Sequence, residues 1–183
     1  VANSVGGTAL GVFVFYGGLF NAQENLTVQV DSTTAAYGLY ARDSDSKIEL
    51  NGATVGASKN GVAGTGSSLV AMNGATIQGN LGKYDLTGNV VSSSGAISFD
   101  FDRGSAFTGA SQITGTGVIN FDMTGTTWNM TGDSKLSSLA FNDNSSNIIF
   151  AGDNTFKTLS VGELSGSDGV FTMRTDIVGD GAG

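Results

Sequence analysis

Asn51-Gly52-Ala53-Thr54-Val55 returns as Asn73-Gly74-Ala75-Thr76-Ile77, at a spacing of 22. Further steps of 22 lead to Ile97-Ser98-Phe99 and Ile119-Asn120-Phe121, and two steps of 20 reach Leu139-Ala140-Phe141 and Leu159-Ser160-Val161. In each of the six segments the outer positions are apolar and the middle one is small or polar, as in a strand with one buried face. Other pairs share the spacing: Met130, Phe150 and Val170, Leu136 and Phe156, and Ile48 and Val70. More than one strand per repeat is therefore expected.

Helical patterning is nearly absent, because Gly, Ser, Thr, Asn and Asp dominate and no apolar 3-4 spacing persists beyond a turn. This repeat, with several short strands in each unit, predicts an all-β chain, a right-handed parallel β-helix with about 20–22 residues per coil. At roughly 4.8 Å per coil, about eight coils give a rod on the order of 40 Å long. A leucine-rich repeat needs several Leu and an Asn at fixed offsets, and the twelve Leu form no such pattern. A β-sandwich lacks long-range register. Leu10 to Phe20 is too short to span a membrane as a helix and reads as a buried strand. The glycine-rich stretch Gly56 to Ser68 lacks the Lys-Ser/Thr ending of a phosphate loop and reads as a long corner loop.

The 183 residues include no Cys, no His and no Pro, and carry a net charge of −8. An imidazole base, a thiol nucleophile, a disulfide and a His/Cys zinc site are thereby excluded. The length suits one sizeable domain, and 39% apolar residues with eleven Phe supply a core. Eight Lys and Arg with no basic stripe argue against nucleic acid or anionic lipid as partner. No basic segment leads into an apolar run at Val1, so a signal peptide is not expected and the chain reads as a fragment.

Trp128-Asn129-Met130-Thr131-Gly132-Asp133-Ser134, Leu139, Ile148-Ile149-Phe150, Phe156-Lys157-Thr158-Leu159-Ser160-Val161 with Leu164-Ser165-Gly166, and Gly169-Val170-Phe171-Thr172-Met173-Arg174-Thr175-Asp176 carry a family signature. In this order they resemble the end of a pertactin-like autotransporter passenger. The resemblance implies a right-handed parallel β-helix secreted by a Gram-negative bacterium through a C-terminal β-barrel that this sequence does not include. It also implies that Trp128 to Asp176 is an autochaperone-like segment on which the remainder folds. The expected organisation is residues 1–127 as passenger coils and 128–183 as the C-terminal coils. The expected place is the cell surface, on the extracellular side of the outer membrane, or the medium.

Asp100, Asp102 and Asp122 gather acidic groups on adjacent coils, with Asn142 expected next in the column. Two carboxylates one coil apart repel by about 1 kcal/mol in water, and a hard cation would relieve this. A solvated acidic face is the preferred reading, because the G-G-x-G-x-D calcium repeat is missing. Gly132-Asp133-Ser134 begins like an esterase nucleophile motif, but Lys135 follows and no His exists, so a turn is expected. Arg42-Asp43 and Arg103-Gly104-Ser105 do not match the Arg-Gly-Asp adhesion tripeptide. Asn25-Leu26-Thr27, Asn129-Met130-Thr131 and Asn144-Ser145-Ser146 fit the glycosylation pattern, common by chance in such a composition. Tyr16, Tyr37, Tyr40 and Tyr84 are either ligand anchors or, preferred, core fillers whose hydroxyls reach the surface.

No residue is assigned as catalytic, cofactor-binding or metal-binding. The expected function is that of a non-enzymatic adhesin or related virulence factor. Its partners would be a host cell-surface or matrix protein or glycan, with association between copies on neighbouring cells a further option. Two alternatives stand beside it: a β-helix lyase or hydrolase using Asp100, Asp102 and Asp122, and a stalk that displays another domain.

Overall fold

The computed structural model describes residues 1–150 and 155–173. Among them are twenty-one strands and no helix, arranged as a parallel β-solenoid of about seven turns. The chain visits three sheets in succession, of nine, five and seven strands, here called the first, second and third. Within each sheet, strands pair in parallel with those a turn earlier and a turn later, except Val62–Ala63, which pairs antiparallel within its own turn.

Inward columns form the core. In the third sheet Phe20, Ile48, Ile77, Ile97 and Ile119 stand in register. Two residues along the same strands runs the column Ala22, Leu50, Gly79, Phe99, Phe121, Leu139 and Leu164. The first sheet contributes Val28, Val55, Leu86, Phe107, Trp128, Ile148 and Phe171. Stacking removes these side chains from water except at the last described turn, where Leu164 and Phe171 are exposed, and lets parallel ladders close between turns. At the bends, buried serines satisfy the backbone: Ser105 Oγ donates to the Asp102 carbonyl at 2.6 Å and accepts from the Tyr84 N–H at 3.0 Å. Among the described residues no buried side-chain polar atom lacks a partner, as burial in low dielectric requires.

The turns are not uniform, which corrects the expected even spacing and the expected eight coils. Ala2 pairs with Val30, Leu39 with Leu69 and Ala53 with Tyr84, steps of 28, 30 and 31 in the numbering. Between Tyr84 and Met130 the steps fall to about the expected value, as from Phe107 to Trp128, a step of 21, and they vary again beyond, from 18 between Phe121 and Leu139 to 25 between Ser134 and Leu159. The long turns contain seven- and eight-residue strands, such as Leu26–Ser32 and Ala35–Arg42, where the strands between Tyr84 and Met130 run to four to six, such as Tyr84–Thr87 and Ala96–Phe101; Ser134–Phe141 and Leu159–Gly166 lengthen again to eight. Side-chain volume changes in the opposite sense. Long turns bury Ala9, Ala36, Ala41, Ala57 and Ala71, whereas short turns are filled by Phe99, Phe101, Phe107, Phe121 and Trp128.

The two Asn-Gly-Ala-Thr segments do not stack on each other. Ala53 and Val55 lie in the first sheet, opposite Tyr84 and Leu86, while Thr76 and Ile77 lie in the third. Each Asn-Gly is a corner leading into a strand, with positive φ at Gly52 (93°), Asn73 (53°) and Gly74 (86°), a conformation that Gly and Asn adopt readily. The resemblance between them is one of local chemistry at two different bends.

The column through Ile97, Phe99, Ile119 and Phe121 stands as expected, but the step before it shifts, Ile97 pairing with Ile77 rather than Ala75, and so do the two after it. Leu139 pairs with Phe121, not Ile119, and Leu159 pairs with Ser134, because these turns depart from a step of 20. Leu136 accordingly meets Val161 rather than Phe156, Val170 meets Asn147, and Ile48 and Val70 belong to different sheets.

Thr8–Val14 is a strand, but Phe13, Phe15, Tyr16 and Leu19 are exposed, contrary to the buried reading of Leu10 to Phe20. At this end of the chain, only Ala9 and Val14 of the strand are buried, with Val12 packed against the core. The stretch Gly56 to Ser68 is not a loop throughout. It opens with a hairpin, Ser58 opposite Ala63 and Lys59 opposite Val62, closed by Asn60-Gly61 at φ 54° and 72°, the two-residue turn whose twist matches paired strands. The first sheet runs through Thr127 and Trp128 without interruption, and the third continues past them from Met123 to Phe141.

Candidate functional site

The outer face of the third sheet carries a polar ladder over all seven strands: Asn21, Glu49, Gln78, Ser98, Asn120, Ser138 and Glu163 in register. Side chains couple along it. Asn120 Nδ2 donates to Ser98 Oγ at 3.3 Å, and Ser138 Oγ donates to Asn120 Oδ1 at 2.9 Å. Two residues further along the strands, Asp100 and Asp122 face outward in register. The next residue in that column is Ala140, not the expected Asn142, because the chain returns to this sheet sooner than a step of 20 allows.

A bulge shapes this face into a trough. Gly79 stands opposite Phe99 and Gly82 opposite Phe101, so Asn80 and Leu81 together oppose Asp100 alone, an insertion that bends the strand outward. The bulge is held from inside, where the buried Tyr84 hydroxyl lies 2.6 Å from the Asn80 carbonyl and 3.0 Å from that of Leu50, its proton shared between them. Burial, and after it the charge of Asp100, push the phenol above its ordinary value, so it stays a neutral donor. Gly79 is required beneath, because a Cβ there would overlap the Phe99 ring. The resulting trough encloses about 430 Å³ and is lined by Gln78, Asn80, Leu81, Ser98, Asp100, Asn120, Asp122 and Ser138.

Burial first, then the charges of Asp122 and Asp102, raise the Asp100 carboxyl above the usual carboxylate value. The three acids form a step, not a cage: among the described residues no three acids converge as ligands of one metal ion.

Asp143, which the sequence reading passed over, is the most heavily engaged carboxylate among the described residues. It accepts from Ser145 Oγ (2.7 Å) and N (3.2 Å), Gly125 N (2.9 Å) and Ser146 Oγ (3.1 Å), and pairs with Arg103 Nη2 at 3.0 Å. These hydrogen bonds, with the Ser145 hydroxyl foremost, hold its pKa far below the usual carboxylate range. A depressed folded pKa gives stability that is complete above the unfolded value of about 3.9 and is lost as pH falls from there through the folded one. Asp143→Asn is therefore expected to melt below the parent at neutral pH, with the difference shrinking toward pH 2; an equal gap at every pH would contradict this.

The remaining sequence candidates have structural roles. Ser134 is buried, its Oγ accepting from Ser111 N and donating to the Gly132 carbonyl, while Asp133 accepts from Thr158 N at 2.7 Å. Arg42 pairs with Asp43 at 3.4 Å and stands over the Phe13 ring at 5.9 Å. Arg103-Gly104-Ser105 is a corner. Asn25, Asn129 and Asn144 are exposed. Tyr84 fills the core, but its hydroxyl is bonded inside rather than reaching the surface.

Tyr37 and Tyr40 lie on the outer face of the second sheet, where Phe15, Phe13, Tyr40 and Tyr37 stack with centroids 4.8, 5.1 and 5.5 Å apart. Rings stacked on one another offer edges outward. This weakens the reading of those tyrosines as flat platforms for a ligand. At the last described turn the core opens in an apolar cavity of about 630 Å³ lined by Phe150, Phe156, Leu159, Leu164, Phe171 and Met173. Arg174, Thr175 and Asp176, the end of the stretch whose resemblance to a known family was noted, lie outside the described residues.

Comparison with family models, with curated proteins and with solved structures yields no match.

Proposed function

We propose that this chain is the solenoid part of a pertactin-like passenger, displayed at the outer surface of a Gram-negative bacterium and acting there as an adhesin. The reading rests on the signature between Trp128 and Asp176. What supports it further is that four of its apolar members, Trp128, Met130, Leu139 and Ile148, are buried, as a folding segment requires, whereas Phe156, Leu164, Val170, Phe171 and Met173 are exposed. In this reading the rod recognises a protein or glycan of a host cell or matrix through its outer faces. Membrane attachment belongs to a barrel encoded elsewhere in a longer protein, and association between copies on neighbouring cells uses the same surfaces.

Beads coated with this chain should then adhere to cultured epithelial cells or to matrix proteins. Adhesion no greater than that of bare beads on every surface would overturn the adhesin reading and favour a stalk that displays another domain. A carbohydrate-cleaving role has one observation in its favour, the raised Asp100 carboxyl beside Asp122, an acid and base in one step. Reducing-sugar or unsaturated-product release from a polysaccharide panel, abolished by Asp122→Asn, would support it; an inert parent protein would remove it.

A further inference from the structure

The trough on the third sheet is concave, walled on one side and lined by groups of mixed hydrogen-bonding sense. Its floor is the Ser98, Asn120 and Ser138 part of the ladder, its wall is the Asn80 and Leu81 bulge, and Asp100 and Asp122 stand along the column beside the floor. No Lys or Arg lines it. The two in-register carboxylates therefore disfavour phosphate, sulfate or an acidic polymer.

The floor strands pair on both sides, so their backbone groups are already used, and an extended peptide would find no free edge for strand addition. What the lining offers is amide and hydroxyl groups that both donate and accept, and carboxylates that accept strongly from O–H and N–H. The exposed Leu81 at the rim adds one apolar contact. Sugar rings present that combination, hydroxyls of both senses around a C–H face. Successive strands about 4.8 Å apart repeat the lining at a step comparable with the length of a pyranose unit.

The geometry points to this trough as a binding site for an uncharged or amine-bearing oligosaccharide laid across the strands along the solenoid axis. Asn120 and Ser98 bond its hydroxyls from below, Asp122 and Asp100 accept from its hydroxyl or ammonium hydrogens, and Leu81 covers a ring edge. Tyr84 is a positioning residue, acting only through the bulge it holds. The inference rests on reading the chain as a surface-recognition module, and it names the ligand class and the place.

The test is a glycan array carrying cello-, xylo-, malto- and chito-oligosaccharides, the last with free and with acetylated amines, alongside heparin fragments. The full chain should retain at least one uncharged or amine-bearing oligosaccharide and not heparin. Asp122→Asn and Asn120→Ala, both on the outer face, should keep the parent melting temperature and weaken that binding about tenfold or more. Thr108→Ala, on the outer face of the first sheet, should leave it unchanged. Binding of none of the oligosaccharides, a preference for heparin, or binding indifferent to Asp122→Asn and Asn120→Ala would overturn the assignment. The bead assay separates this from the broader reading. Cell adhesion without oligosaccharide binding removes the trough and keeps the adhesin, whereas oligosaccharide binding without cell adhesion does the reverse.

Discussion

Phe121→Asp yields a chain with no cooperative thermal transition and no native sheet signal in circular dichroism. Phe121 is 1% exposed and sits at the meeting point of the Phe101, Phe107 and Trp128 rings, at centroid distances of 5.2, 5.8 and 5.8 Å. Removing a buried Phe side chain costs about 3 to 5 kcal/mol. An unpaired carboxylate in its place adds several more, or is forced to protonate. Together these reach the whole stability of a typical domain, about 5 to 15 kcal/mol. Each turn of a solenoid is held chiefly by its neighbours, so the loss also severs the turns on either side. Phe99→Asp, one turn earlier in the same column, should act alike. A soluble Phe121→Asp protein melting at the parent temperature would refute the stacked core.

Trp128→Ala ranks second. The indole stacks on Phe107 at 5.2 Å and 25°, meets Phe121 edge-on, and donates from Nε1 to the Gly109 carbonyl at 2.9 Å. The cavity accounts for about 3 to 5 kcal/mol. The Gly109 carbonyl keeps the Thr131 N–H at 3.3 Å, so the lost indole bond adds only about 0.5 to 1.5 kcal/mol. Trp128→Phe keeps most of the ring packing and loses the bond, so its deficit should be the smaller one. Denaturant midpoints of the three proteins, followed by circular dichroism because Trp128 is the single tryptophan, check the order. Equal midpoints for Trp128→Ala and the parent would show that the residue is not the keystone of these turns.

The β-solenoid was legible because Ile97, Phe99, Ile119 and Phe121 keep one spacing over a pair of turns. That spacing did not extend to the first turns, where longer strands and bends change the step, and a fixed period cannot follow a variable perimeter. The Asn-Gly-Ala-Thr match misled for a related reason. A corner has its own residue chemistry wherever it occurs, so two corners resemble each other without lying one above the other.

At the site, Asp100 over Asp122 could be read from the same local register. The bulge could not, because nothing in Gly79-Asn80-Leu81-Gly82 says that the ladder slips there. The slip depends on Tyr84 reaching back to Asn80 from the next strand. Asp143 was overlooked because its donors come from Gly125, a full turn earlier, and from hydroxyls that look ordinary in a serine-rich chain. Asn60-Gly61 did carry a readable hairpin signal, hidden among the glycines around it.

The inverse relation between the residues in a turn and the bulk of what it encloses means that this rod is not a string of equivalent modules. A segment exchanged among the turns between Tyr84 and Met130, whose steps stay at 21 to 22, would bring aromatic filling to a perimeter of the right size. The same segment grafted among the first turns would bring rings where the long strands close over alanine and valine. Repeat duplication and shuffling, the usual route to lengthening such architectures, is thus open to one half of this molecule and obstructed at the junction with the other.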